Sequence, residues 1–140
     1  MIRKILLGVL VFIASTSGIA IASDQEKEQN AVKAAEAWLQ LVDDGNYVQS
    51  WSEAASYFKA SVSESQWDQS LKAVRDPLGK ILTRQVISSQ YMTSLPGAPE
   101  GEYVVIQFGT SFGNKKTAAE TVTPMLDKDG TWRVSGYYIK

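Results

Sequence analysis

The chain of 140 residues contains no cysteine and no histidine. Without cysteine it has no disulfide, no thiol nucleophile and no thiolate ligand for zinc. Without histidine it lacks the side chain whose pKa best suits acid–base catalysis near neutral pH, and the commonest ligand of transition metals. These absences argue against a zinc site and against nucleophilic catalysis assisted by histidine. We therefore expect neither a metal nor an organic cofactor.

Long apolar runs are also scarce, and the main one stands at the start of the chain. Arg3 and Lys4 precede an apolar stretch over residues 5–14, and Ala20 and Ala22 complete a small-x-small cleavage pattern. Polar residues interrupt the stretch, which is short for a membrane span of about 20 residues. The pattern predicts a signal peptide over residues 1–22, cleaved after Ala22. The mature protein is then expected to be periplasmic or secreted, without stable membrane insertion.

Positive charge is not in excess in the mature chain. Loss of Arg3 and Lys4 with the signal peptide leaves 12 basic and 15 acidic residues, a net charge of −3. Proteins that bind nucleic acid carry a basic patch, so this balance argues against a nucleic-acid partner. A chain of about 118 residues can bury one adequate core. We therefore expect a single domain over residues 23–140.

Apolar periodicity predicts three helices in the first half of this domain. The first covers residues 24–43, with apolar residues at three- and four-residue spacing. Gly45 then supplies the left-handed position that commonly follows a helix. The second helix carries an apolar face from Tyr47 to Phe58.

The third helix has the clearest start signal. Ser63 and Gln66 have the spacing of a capping box, in which each side chain bonds the backbone of the other. Pro77 lacks the N–H that would continue the helix. The helix is therefore expected to run from Ser63 to about Asp76.

Two adjacent carboxylates, Asp43 and Asp44, stand where the first helix is expected to end. They could form half of a metal or acid–base site, or they could simply be polar residues at a helix end. Adjacent residues on a helix do not share a face, which disfavours a joint site. We interpret the pair as marking the end of the helix.

The second half of the domain follows a strand pattern. Gly113-Asn114 and Asp129-Gly130 are typical of two-residue hairpin turns. Alternation and turn residues predict strands over residues 80–93, 102–112, 115–127 and 131–139. Helices followed by consecutive strands predict an α+β domain, with three helices packed on one face of a curved four-stranded antiparallel sheet.

The hairpin turns also predict which residues share a face of the sheet. Counting back from the first turn places Phe108 opposite Ala119, and counting back from the second places Met125 opposite Val134. Pro124 cannot donate a ladder hydrogen bond, so a bulge is expected there. The face expected to meet the helices carries Val104, Ile106, Phe108, Thr121, Met125, Trp132, Val134 and Tyr138. The outward face is expected to carry Tyr103, Val105, Gln107, Glu120, Val122, Arg133, Tyr137 and Ile139.

Several short motifs follow one another along the chain. They are Ala37-Trp38-Leu39, Asp43-x-Gly45-x-Tyr47, Gln49-Ser50-Trp51, Arg75-x-Pro77-Leu78-Gly79, Leu95-Pro96-Gly97-Ala98-Pro99-x-Gly101-x-Tyr103, Glu120-Thr121-Val122-Thr123 and Trp132-Arg133-Val134-Ser135-Gly136-Tyr137-Tyr138. Together they resemble the bacterial family labelled domain of unknown function 4019, over nearly the whole mature chain. The resemblance implies no particular activity. More loosely, the order of helices and curved sheet resembles the cone-shaped NTF2-like fold.

Aromatic residues supply a first set of site candidates. Trp38, Trp67 and Trp132 lie on predicted core stripes, and tryptophans in a small domain are more often core than ligand-binding. A cone-shaped fold would open a cavity between helices and sheet. The candidate lining residues are Trp51, Tyr57, Asp68, Tyr91 and Tyr138, with Arg84 as a further charge whose default position is solvent.

The outward face of the sheet supplies a second set. Its apolar residues would form an exposed stripe, and such patches often mark interfaces, most simply between two copies of a chain. Alternatively, curvature of the sheet or the first helix hides the stripe. The candidate interface residues are Tyr103, Val105, Val122, Arg133, Tyr137 and Ile139.

Two functions remain open from the sequence. The first is an exported, non-catalytic binding or interaction module that forms a homodimer through its sheet. The alternative is small-molecule binding, or weak acid–base catalysis, in an NTF2-like cavity that uses a carboxylate and tyrosines. A carboxylate with a raised pKa facing a cavity would favour the alternative, whereas a closed core and an exposed sheet face would favour the first.

Overall fold

A computed structural model describes residues 22–140 of the chain. The predicted signal peptide lies outside the described residues except for Ala22. The elements are α1 (Asp24–Asp43), α2 (Tyr47–Ser52), α3 (Ser56–Ser61), α4 (Glu64–Val74), a 3-10 turn (Asp76–Leu78), β1 (Ile81–Met92), β2 (Tyr103–Phe112), β3 (Lys115–Leu126) and β4 (Trp132–Ile139). The four strands form one antiparallel sheet in the order β1-β2-β3-β4. The predicted α+β class is confirmed.

Local sequence signals account for both ends of α1. The Ser23 side chain accepts a hydrogen bond from the Glu26 N–H over 3.2 Å, which caps the start. At the other end Gly45 has a φ of 77°, and its N–H donates to the Val42 carbonyl over 3.0 Å. The helix therefore spans the predicted residues, and Gly45 turns the chain as expected.

The predicted second helix is in fact two short helices. The break falls at Ala54 and Ala55, which are both fully buried. The Ala55 N–H donates to the Val134 carbonyl of β4 over 2.8 Å. This bond to the sheet edge replaces a helical one, so contact between distant parts of the chain overrides the local apolar pattern.

The capping box at the start of α4 is confirmed. The Gln66 N–H donates to Ser63 Oγ over 3.2 Å, and the Ser63 N–H donates to Gln66 Oε1 over 3.1 Å. The helix ends at Val74, slightly before the expected position, and Pro77 lies within the following 3-10 turn. Arg75 is the C-cap residue between these two elements.

The core lies between the helices and one face of the sheet. A fully buried serine, Ser50, fixes two of its tryptophans. Trp38 Nε1 donates to the Ser50 carbonyl over 2.8 Å, and Trp67 Nε1 donates to Ser50 Oγ over 3.0 Å. The predicted core positions of Trp38 and Trp67 are confirmed, whereas Trp132 is only partly buried against the core.

The register between β2 and β3 differs from the predicted one by a single residue. The Gly113-Asn114 turn is present, but the register shifts between Thr110 and Phe112. Phe108 therefore pairs with Glu120 instead of Ala119. Because side chains alternate between faces, this shift moves every residue of β3 beyond it to the other face.

The expected irregularity at Pro124 is confirmed. The register between β3 and β4 shifts between Thr123 and Pro124, so that Met125 pairs with Arg133 and not with Val134. A proline cannot complete the ladder on both sides, which explains why the shift occurs there.

Candidate functional site

Four charged side chains and two hydroxyl groups meet between the helices and the sheet. They come from the end of α1, the end of α4 and all four strands. The side chains of Asp43, Arg75 and Glu120 are 8%, 4% and 0% exposed. We call this group the ion cluster, and its members are Asp43, Arg75, Arg84, Thr110, Glu120 and Tyr137.

Arg84 on β1 is the centre of the ion cluster, because its guanidinium group binds both carboxylates. Its Nη1 and Nη2 donate to the two oxygens of Asp43 over 2.7 and 2.9 Å. Its Nε and Nη2 donate to Glu120 over 2.7 and 3.2 Å. Paired charge-assisted hydrogen bonds of this kind fix geometry. Arg84 therefore holds the end of α1 in position relative to β3.

Glu120 on β3 is fully buried, and both of its oxygens accept hydrogen bonds. Besides the bonds from Arg84, Thr110 Oγ1 donates to Oε1 over 2.5 Å, and the Tyr137 hydroxyl donates to Oε2. The sequence predicted this side chain on the outward face. The one-residue register shift places it inside, where a charge requires such partners.

Arg75, at the end of α4, completes the ion cluster. Its Nη2 donates to Asp43 over 2.9 Å, its Nη1 lies 3.5 Å from the Tyr137 hydroxyl, and its guanidinium carbon lies 4.8 Å from the centre of the Phe112 ring. The ring face attracts the cation. Within residues 22–140, Arg75 Nε is the buried side-chain polar atom without a hydrogen-bond partner.

Two members of the ion cluster, Asp43 and Tyr137, have pKa values that are shifted away from neutral pH. Burial raises the pKa of Asp43, but hydrogen bonds and charge from Arg84 and Arg75 outweigh it and lower the pKa below its ordinary value. Burial and the charge of Glu120 raise the pKa of the Tyr137 hydroxyl far above its ordinary value. A general base needs an accessible lone pair and a pKa near the working pH. The cluster therefore fits a structural tie better than an acid–base site.

The interpretation of Asp43 and Asp44 as helix-end residues accounts fully for only one of them. Asp44 is the exposed C-cap residue of α1 and accepts a hydrogen bond from Gln40 Nε2 over 3.0 Å. Asp43 is the last residue of α1, as interpreted, but it is also a buried counter-ion, which the interpretation did not include. Arg84, whose default position was solvent, is its partner.

The structure places the candidate cavity residues in separate contacts. Trp51 Nε1 donates to the Val62 carbonyl over 2.7 Å, beside the helices. The Tyr57 hydroxyl donates to the Gly97 carbonyl of the β1–β2 loop over 3.3 Å. These two contacts tie the helices and the β1–β2 loop to their neighbours.

The other cavity candidates are equally dispersed. Asp68 pairs with Lys72 on the surface of α4 over 2.8 Å. The Tyr91 hydroxyl donates to Glu102 over 2.7 Å. Tyr138 is 52% exposed on the far side of the sheet. The five candidates therefore do not form one cavity, and the prediction that they line one together was wrong.

The predicted apolar stripe is not formed either. Val122 and Tyr137 face the helices, since Val122 pairs with Ile106 and the Tyr137 ring packs against Trp38 at 5.4 Å between centroids. Ile139 pairs with the buried Glu120 on that same face. The shift between β2 and β3 explains all three errors, because it moves Val122 to the helix side together with Tyr137 and Ile139 of the paired part of β4. The second shift, at Pro124, keeps Trp132 and Val134 on the helix side, as predicted.

The remaining interface candidates have different positions. Tyr103 is 1% exposed, and its hydroxyl donates to the Pro99 carbonyl of the β1–β2 loop over 2.6 Å. Arg133 is held at the β3–β4 hairpin by Asp129 over 2.8 Å. Val105 alone among the six lies within the open central part of the sheet, where it is partly buried.

The open side of the sheet has a composition of its own. We call it the outer face, and its members are Gln85, Ile87, Ser88, Gln90, Val105, Gln107, Gly109, Ala119, Thr121, Thr123, Gly136 and Tyr138. None of these twelve carries a charge, but two charged residues lie on the same side at the two ends of β4: Arg133, which pairs with Met125, and Lys140, whose Nζ is 5.9 Å from the centre of the Tyr138 ring. Ile87 and Tyr138 project most, with exposures of 63% and 52%. Lys140 pairs with Ala119 at one corner.

Metal sites and membrane spans can be judged for residues 22–140. Within this part of the chain, no three carboxylate, histidine or cysteine side chains form a group that could hold a metal ion. None of its helices is both long and apolar enough to cross a membrane.

A family model described as a protein of unknown function (DUF4019) matches residues 34–137. The matched span begins within α1, ends at Tyr137 and includes every member of the ion cluster. No curated protein matches the chain significantly. The chain belongs to the DUF4019 family of proteins of unknown function.

Proposed function

We propose that the protein is an exported, non-catalytic interaction module that associates with a second copy of itself through the outer face of the sheet. The observation that carries this proposal is that the twelve residues of the outer face are uncharged and that the charged residues of this side, Arg133 and Lys140, are confined to the two ends of β4, although 21% of all residues in the chain are charged.

An uncharged surface of this kind suits an interface better than exposure to water. The buried centre of a protein–protein interface is depleted of charged residues. Sheets that remain in solvent commonly carry charged side chains that discourage association. The outer face lacks such side chains across its centre, so it is the part of the surface best suited to a partner.

A second copy is the partner that the charge pattern favours. In a two-fold dimer the same patch meets itself, so a charge near the two-fold axis approaches its own copy, which has the same sign. The mature chain has a predicted net charge of −3, and a charged face would oppose its self-association. The outer face avoids this repulsion.

The relief of the outer face also fits a two-fold contact. Ile87 and Tyr138 project, whereas Ala119 and Gly136 have a small side chain or none. Gly109 is already covered by Ile87 of the same chain, whose Cδ1 would lie 3.2 Å from a Cβ at that position. A two-fold arrangement can set the projecting side chains of one copy over the small residues of the other. Such interlocking gives the close packing that stable interfaces share with protein interiors.

The ion cluster supports a non-catalytic role. Both oxygens of Asp43 and both oxygens of Glu120 accept hydrogen bonds from within the chain. These bonds hold the two carboxylates in place and make them less available as proton acceptors for a substrate. Export is supported by the basic, apolar and small-residue pattern over residues 1–22.

Sedimentation velocity of the mature chain, residues 23–140, tests the proposal. We expect a dimer for the wild-type protein and a monomer for Tyr138→Lys, which replaces the projecting tyrosine of the outer face with a second cation beside Lys140. Val48→Lys is the matched control, because Val48 is an apolar residue on α2 that is 46% exposed. It should remain dimeric. A monomeric wild-type protein, or a Tyr138→Lys variant that stays dimeric, would contradict the proposal.

A further inference from the structure

A cleft of about 760 Å³ lies on the helix side of the sheet, away from the outer face. It opens between α1, the start of α3 and the β3–β4 hairpin. Clefts that hold small molecules commonly measure roughly 300–1,000 Å³. Its volume therefore suits a ligand of small-molecule size, and its position leaves it accessible in a dimer formed through the outer face.

The floor of the cleft is apolar and aromatic. Ala34 and Ala37 of α1 face Trp132 and Val134 of β4 across it. The two alanines have small side chains, so the partly buried Trp132 remains within reach of a ligand. A flat aromatic surface of this kind binds the apolar face of a ring.

The rim of the cleft is polar, and its charges balance. The cationic lining residues are Lys59, Lys128 and Arg133, and the anionic ones are Glu53, Asp127 and Asp129. Arg133 donates to both oxygens of Asp129 over 2.8 Å. Lys59 Nζ donates to the Ser52 carbonyl over 3.0 Å. A strongly charged ligand would therefore meet no excess of opposite charge.

The walls of the cleft are held in place by the chain itself. Asp127 Oδ2 accepts hydrogen bonds from both the N–H and the hydroxyl of Ser56, each over 3.1 Å. These bonds join the β3–β4 hairpin to the start of α3, and they lower the pKa of Asp127. A cleft with fixed walls loses little freedom when a ligand binds.

We propose that this cleft binds an uncharged, hydroxyl-rich ligand of the sugar class, with the apolar face of a sugar ring stacked on Trp132. The polar rim supplies donors and acceptors for hydroxyl groups, and the balanced charges favour a neutral molecule. A fully apolar ligand would bury rim groups without replacing their bonds to water. The inference goes beyond self-association and does not depend on it.

Isothermal titration calorimetry with two uncharged sugars, chitotetraose and maltotetraose, tests the proposal on the full mature chain. We expect saturable binding of at least one sugar, with a dissociation constant below about 1 mM. Ala37→Leu fills the cleft from an exposed position on α1 and should weaken binding by at least about tenfold. Ala73→Leu is the matched control, because Ala73 is an exposed alanine on α4 outside the cleft. It should bind as the wild type does.

Trp132 provides a second test. Trp132→Phe keeps an aromatic ring and should retain measurable binding, whereas Trp132→Ala should lose it. Because Trp132 also packs against the core, the far-ultraviolet circular dichroism spectrum must show that each variant is folded. If Trp132→Ala is unfolded, the result for Ala37→Leu alone decides whether the cleft binds the sugar. Absence of saturable binding of either sugar, or wild-type binding by Ala37→Leu, would overturn the proposal. Sedimentation velocity is independent of this result and would still report on the dimer.

Discussion

Replacing Glu120 with glutamine removes one charge from the ion cluster and almost preserves the shape of the side chain. Glu120 accepts hydrogen bonds from Thr110, from two nitrogens of Arg84 and from Tyr137. A glutamine side chain has a single acceptor oxygen, and its NH₂ group would face donors. At least one buried donor then loses its partner, and Arg84 keeps only Asp43, which Arg75 shares.

The expected loss of stability is large for one substitution. Removal of one partner from a buried ion pair costs about 3–5 kcal/mol. A domain of this size has a total unfolding free energy of about 5–15 kcal/mol. Glu120→Gln should therefore remove at least about a fifth of the stability.

Urea unfolding followed by tryptophan fluorescence measures this loss. With a slope of about 1–3 kcal/mol per molar urea, the unfolding midpoint should fall by at least about 1 M. Glu36→Gln makes the same chemical change at an exposed position on α1. As a surface substitution it should change the free energy of unfolding by less than about 0.5 kcal/mol. Equal midpoints for the two variants would refute the view that the ion cluster holds the fold together.

Two further predictions follow from the buried polar groups. Because Arg84 outweighs the effect of burial and lowers the pKa of Asp43, the Asp43 ion pair stabilises the fold above the unfolded pKa of about 4. This stability is lost as the pH falls through the folded pKa. Urea unfolding at decreasing pH should therefore show a smaller loss of unfolding free energy for Asp43→Asn than for the wild-type protein. An equal loss in the two proteins would contradict the assignment. Ser50→Ala should cost about 1–3 kcal/mol in the same assay because it leaves Trp67 Nε1 buried without an acceptor. Ser52→Ala, which removes an exposed hydroxyl, should be nearly neutral, and equal losses would exclude the Ser50 bond as the cause.

Features set by local chemistry could be predicted from the sequence. The capping box of Ser63 and Gln66 and the left-handed turn at Gly45 depend only on residues a few positions apart. The irregularity at Pro124 also has a local cause, since proline has no N–H to donate. The bounds of α1 and of the strands follow from such signals and from periodicity.

No local sequence signal of this kind predicts that residues of β3 exchange faces of the sheet. The shift between Thr110 and Phe112 leaves the Gly113-Asn114 turn intact and involves no proline or glycine at the shifted residues. A single extra residue there reverses the face of β3. The break at Ala55 is similar, because it depends on a bond to Val134 that is distant in the sequence.

The ion cluster could not be assembled from sequence patterns because its members are far apart in the chain. Asp43 and Arg84 belong to α1 and β1, and Glu120 belongs to β3. A weak signal did exist: Arg84 is the single charge of β1 and Glu120 the single acidic residue of β3, and a charge on the buried face of a strand requires a partner. Only the observed register shows that both lie on that face.

Native mass spectrometry of the mature protein, purified gently from the periplasm, tests the central claim most directly. The claim is that the uncharged outer face joins two copies of the chain after export. We expect the mass of a dimer for the wild-type protein and of a monomer for Tyr138→Lys. A wild-type protein that is monomeric at every concentration would contradict the claim.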